Sequence, residues 1–123
     1  MRVDAHTHFW RYTSGEYSWI DDSMAALRRD FLPMQLRGEM DDARVDACVA
    51  VQARQTLDET RWLLGLARAH PFVAGVVGWI DLQAEDVEDQ LQAFAGESKL
   101  VGVRHIVQGE PDDRFMLRPA FCA

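Results

Sequence analysis

The sequence predicts an α/β fold built on a parallel sheet, and three observations carry that expectation. Short apolar runs of β-branched character alternate with segments whose apolar residues recur at helical spacing, the pattern of successive βα units. Two of the four runs are apolar on both faces, as strands covered on both sides are. A chain of 123 residues, 48% of them hydrophobic, suits one small globular domain.

The first strand is expected over residues 3–8. A long connection, residues 9–32, follows it, and its aromatics Trp10, Tyr12, Tyr17 and Trp19 argue that it packs over something. Helix one begins near Pro33, whose fixed φ suits a first helical turn, and carries Leu36, Met40 and Ala43 on one face, with Gly38 as a weak point. The second strand spans 45–52. In helix two, Thr56 and Glu59 have capping-box spacing, Thr60, Leu63, Leu64 and Ala67 form a stripe, and Pro71 ends the segment. After the third strand, 73–80, helix three places Val87, Leu91, Phe94 and Ala95 on one side. Acidic residues occupy its first turn, where the helix dipole favours them, and Gly96 lies near its end. The fourth strand spans 100–107, and a fourth helix is expected from about Arg114. A closed eight-stranded βα barrel takes roughly 250 residues, so four units amount to about half of one. As an open sheet they would leave two unpaired edges.

With 20 Asp+Glu against 13 Lys+Arg and a net charge of −7, the surface repels phosphates, and no basic cluster exceeds Arg28-Arg29. Nucleic acid and anionic membrane are therefore poor partners. The longest apolar stretch, 72–80, is too short to span a bilayer. Met1-Arg2-Val3-Asp4 leads directly into polar residues without a secretory pattern, which makes a cytoplasmic chain the expectation. Cys48 and Cys122 form no disulfide or zinc framework and read as a small core residue and a terminal thiol.

Asp4, His6 and His8 alternate at the end of the first strand. Residues two apart share a strand face, so both imidazoles project toward one place, where they would make half of a shell for a divalent transition metal. Asp4 behind them would orient a ring. The plainer reading is of two polar residues on an exposed strand end. Their position argues for the first, because parallel βα folds bind ligands at the carboxyl ends of their strands. The same rim receives Gln52 from strand two, Trp79 and Asp81 from strand three, and Arg104 and His105 from strand four. Gln52 is either a substrate contact or a surface residue opening a loop. Asp81 reads as the cap of helix three. Arg104 and His105 are neighbours facing opposite ways, so one of them enters the site; Arg104 would grip a carboxylate bidentately or pair with a local acid. His70 reads as a solvated group at a helix end.

The run Val3-Asp4-Ala5-His6-Thr7-His8-Phe9-Trp10 resembles the first-strand motif of the amidohydrolase superfamily, in its amidohydrolase-related branch of sugar lactonases and metal-dependent decarboxylases. Tyr17-Ser18-Trp19-Ile20, Val49-Ala50-Val51-Gln52, Gly78-Trp79-Ile80-Asp81-Leu82, Gly102-Val103-Arg104-His105 and Glu110-Pro111-Asp112-Asp113-Arg114 follow in order and are similar to the L-fuconolactonase and L-rhamnonolactonase group. The resemblance covers essentially the whole chain. It implies the N-terminal half of a (β/α)8 TIM barrel with strands in the sequential order 1-2-3-4, residues 1–123 being the truncated N-terminal part of one barrel domain. It also implies a hydrolase that opens a sugar-acid lactone with metal-activated water. His6 and His8 become the catalytic and metal positions, with zinc as the expected ion, although members of the branch differ in retaining a metal. Trp10, Trp19, Gln52, Trp79, Arg104 and His105 become the substrate contacts. The later histidine and aspartate that complete such sites have no counterpart here, since no histidine follows His105. Two other readings stand beside this one: a metal-dependent decarboxylase of the same fold, and a non-catalytic remnant or interaction module that self-associates through its open sheet edges.

Overall fold

The computed structural model describes residues 1–121. Four parallel strands, β1 (Val3–Thr7), β2 (Ala47–Val51), β3 (Val73–Gly78) and β4 (Leu100–Val103), lie in the order β1-β2-β3-β4. This is the sequential arrangement expected of barrel units. Each strand is shorter than its apolar run, and two of the causes are local. Val45 N–H closes the end of the preceding helix on Met40 O at 2.8 Å, which removes residue 45 from β2. The Thr60 hydroxyl binds both the N–H and the carbonyl of Trp79, each at 2.7 Å, so a side chain takes the place of a ladder partner just after β3.

Helix α1 (Pro33–Ala43) begins on proline as expected. The Gln35 side chain caps Leu32 N–H at 2.8 Å, and the helix ends on Arg44 in the left-handed region at φ 55°. Helix α2 (Leu57–Ala69) is capped by Thr56, which accepts from Glu59 N–H at 3.1 Å. Only half of the capping box forms, because the Glu59 carboxylate turns to Ala53 and Arg54 instead. Helix α3 (Val87–Gln92) is shorter than its stripe: Phe94 is buried in the turns that follow, while Leu91 is 46% exposed. Asp81 does not cap it. Asp86 holds that position, and the Asp81 carboxylate closes a local turn by accepting from Gln83 N–H. The fourth helix also differs from expectation. Residues 115–121 form two 3-10 turns, Phe115–Leu117 and Pro119–Phe121, because Pro119 holds Arg118 in an extended conformation (ψ 145°) and interrupts the ladder. Cys122 lies outside the described residues.

One hydrophobic cluster joins Met40 of α1, Leu63, Leu64 and Ala67 of α2, and Phe94 to Cys48, Ala50, Val73, Val76 and Ile80 from the sheet region. Cys48 is fully buried, as its setting predicts, and burial pushes its thiol up to about 11. The long connection has a core of its own, Trp10, Tyr17 and Ile20 packed with Tyr12, Met24, Leu27, Phe31 and Ala53. Two-sided cover holds for β2 and for most of β3, whereas β1 is the open edge of the sheet and largely exposed. Among the described residues no helix is long and apolar enough to cross a membrane.

Candidate active site at the carboxyl end of the sheet

His6 and His8 converge as their spacing requires. Their Nε2 atoms lie 3.1 Å apart, with the rings edge to face at 4.8 Å. The Nδ1 of His8 sits 2.8 Å from the Val51 carbonyl. A carbonyl only accepts, so Nδ1 carries the proton and Nε2 of neutral His8 presents its lone pair. Burial lowers the His8 pKa below its usual 6.5, against a smaller opposing effect of that carbonyl bond. Two imidazoles at Zn–N distances of about 2.0–2.1 Å in a tetrahedral shell place their nitrogens roughly 3.3 Å apart, so the observed pair fits half of such a shell. Without a metal the same approach is an N–H···N bond donated by His6. Asp4 does not orient a ring; its carboxylate accepts from the backbone N–H of His6 at 3.0 Å. Among the described residues no group of three or more His, Cys, Asp or Glu is placed to hold a metal ion.

A cavity of about 740 Å³ opens beside His8, lined by Trp10, Trp19, Arg54, Arg104 and Glu110 among others. Trp10, Trp19 and Arg104, read from the sequence as substrate contacts, therefore share one wall system with His8. Gln52 lies beneath it, fully buried. Its carbonyl accepts from Arg104 Nη2 at 2.9 Å, while its Nε2 donates to the Arg104 carbonyl at 3.4 Å. These reciprocal bonds tie the ends of β2 and β4 together across β3. Burial lowers the Arg104 pKa. Trp79 is half-buried and does not line the cavity. His105 turns away from it, binding Glu110 Oε1 at 2.6 Å and stacking on Phe115 at 4.6 Å, so of the neighbouring pair it is Arg104 that enters. Gln52 Oε1, Trp79 Nε1 and Arg104 Nε are buried without a hydrogen-bond partner among the described residues, all three at the same strand ends. Such unspent polar capacity in a native interior calls for a partner such as water or ligand. A smaller cavity, about 360 Å³, lies between the end of β1 and α1 and includes Thr7, Phe31 and Leu36.

Arg54 has no sequence signal of its own, Glu110 reads only as part of a motif, and Glu59 reads only as a capping residue. Glu59 is completely buried, accepting from Ala53 N–H and Arg54 Nε, both at 3.0 Å. The signal was present but spoken for, since a carboxylate three residues after Thr56 reads as a capping box.

Residues 3–121 match a family model described as Amidohydrolase. An L-fucono-1,5-lactonase of Burkholderia multivorans is 44% identical over 93% of this chain and 38% of its own length. One from Burkholderia ambifaria is 36% identical over 97% of this chain and 41% of its own. A crystal structure of an amidohydrolase from Burkholderia multivorans with bound zinc superposes with a TM-score of 0.93 at 42% identity, covering 98% of this chain and 43% of that one. The chain thus spans about two fifths of the length of the relatives it matches.

Proposed function

Because the chain belongs to the amidohydrolase family, we propose that residues 1–123 form the N-terminal part of a single barrel and carry the first portion of a site that hydrolyses a sugar-acid lactone. The observation that carries this reading is the pair of Nε2 atoms meeting 3.1 Å apart at the carboxyl end of β1, beside a cavity walled by tryptophans. The substrate class follows from the two lactonase relatives.

His6 and His8 would hold a divalent metal, with zinc favoured by their nitrogen donors and by the zinc found in the similar structure. When bound, such an ion supplies Lewis acidity, polarising a carbonyl and making water more acidic. His8 is prepared for this by the Val51 carbonyl, which fixes its tautomer and ring orientation. Trp10 and Trp19 offer apolar faces to the sugar ring. Arg104, anchored on the Gln52 carbonyl, turns its remaining N–H groups toward hydroxyls of the lactone or the carboxylate of the opened product. Gln52, fully buried, supports Arg104 from below, and His105 holds Glu110 at the cavity rim. The later histidine and water-activating aspartate implied by the resemblance fall outside residues 1–123, so turnover belongs to the assembled barrel.

Metal binding tests the reading directly. Titration with zinc should show one weak site that is lost in both His6→Ala and His8→Ala. Titration with the open-chain sugar acid should show binding that Arg104→Ala weakens at least tenfold, the loss of one charge-assisted contact. Zinc uptake indifferent to both histidines would remove the metal half of the reading, and sugar-acid binding indifferent to Arg104 would remove the other.

A further inference from the structure

The fully buried Glu59 carboxylate is not explained by the chemistry above. Its two oxygens fix the backbone of Ala53 and the Nε of Arg54, immediately after the end of β2. Arg54, three quarters buried, extends from there in the opposite direction. Its Nη1 ion-pairs with Glu16, and its guanidinium lies 5.9 Å from the centre of the Tyr17 ring. Glu16 and Tyr17 belong to the long connection; Phe9 at its start is fixed in the main core, while residues 10–31 form a unit with its own core, a Trp10–Phe31 bridge, and side-chain bonds from Arg28 to Ile20 O and from Trp10 to Leu27 O. Among the described residues, Ala53 is the one member of that core from outside residues 10–31. The same unit supplies Trp10 and Trp19 to the cavity wall, and Glu16 and Arg54 line the cavity as well.

We propose that Arg54 is a positioning residue: gripped by buried Glu59, it latches the 9–32 connection against the barrel body through Glu16 and so sets the tryptophan wall of the cavity. The division of labour follows from burial. The Glu59 end is dry and permanent, whereas Glu16 is about half exposed, so the latch opens at the Glu16–Arg54 contact. Once that contact is released the connection opens cooperatively by breaking its internal bonds, admitting a ring-sized ligand and reseating Trp10 and Trp19 on closing. This inference rests on contacts alone and stands or falls independently of the lactone reading.

Hydrogen exchange on the full chain tests it. Tyr17, Ile20, Met24 and Arg28 all donate backbone bonds inside the connection and report its opening. Glu16→Gln should speed their exchange about three- to fivefold, the worth of one partly exposed ion pair, and leave α2 and β3 unchanged. Arg54→Lys should do the same, and the double variant should add nothing to Arg54→Lys alone. Added salt should speed exchange in the wild type but not in Glu16→Gln. Unchanged exchange in Glu16→Gln, additive effects in the double variant, or equal salt sensitivity in both proteins would each overturn the latch.

Discussion

At Gly78 a Cβ would stand 2.6 Å from Thr60 Cγ2 and 2.8 Å from its Oγ1, the hydroxyl that binds both backbone groups of Trp79. Thr60 cannot retreat without giving up those bonds. Gly78→Ala should therefore cost about 2–3 kcal/mol, combining overpacking with a lost buried hydrogen bond, measured by urea denaturation. Tyr17 supplies a second test at this scale. Its phenol is pushed up from 10.0 to about 12, first by burial and then by the nearby Glu59 charge. A raised value in the folded state means that this contribution to stability is intact below pH 10 and is lost as pH rises toward 12. In Tyr12→Phe, which leaves Tyr17 as the one remaining tyrosine, alkaline ultraviolet titration should show ionisation delayed toward about 12 and coincident with loss of fold. Individual residues were legible where one backbone rule governs them: His6 on β1 and His8, one residue past its end, keep the alternation of an extended chain and meet. Asp4 obeyed the same alternation, yet its carboxylate was diverted by the nearest backbone N–H, a competition that spacing does not reveal.

At the scale of elements, α2 shows how a signature can be right in part. Thr56 caps Glu59 N–H as its spacing predicts, and Thr56→Ala should cost about 1 kcal/mol, read as a lowered denaturation midpoint with an unchanged m-value. The reciprocal arm failed because Glu59 found Ala53 and Arg54, which lie before the helix and compete for the same two oxygens. Helix α1 was legible from Pro33, and the strands from their β-branched runs. Their ends were not, because Thr60 meets Trp79 only in the fold, and the Val45–Met40 bond depends on where the preceding helix stops. Helix three overran for the opposite reason. Its apolar stripe continued in sequence after the ladder had broken into turns that still bury Phe94.

For the whole molecule, the sequential strand order leaves β1 and β4 as open edges with parallel polarity, flanked by exposed Val3 (46%) and Val101 (60%). The chain should self-associate at micromolar concentration and show no lactonase turnover alone or with added zinc, as checked by size-exclusion chromatography and an assay on the same fraction. A monomer that hydrolyses a sugar lactone would contradict both expectations. The architecture was legible because βα alternation constrains topology strongly. The cavity was less so: Arg104 reaches it at the end of a predicted strand, whereas Trp19, Arg54 and Glu110 come from loops whose course no periodicity encodes. The paired bonds between Gln52 and Arg104 bear on how such association ends. By linking the tips of β2 and β4 over β3, they resist flattening of the sheet at one rim, and a strand added to either edge should meet a rim held that way. Edge addition on such a rim should favour small closed assemblies over straight ribbons, which light scattering and electron microscopy of the associated fraction would show.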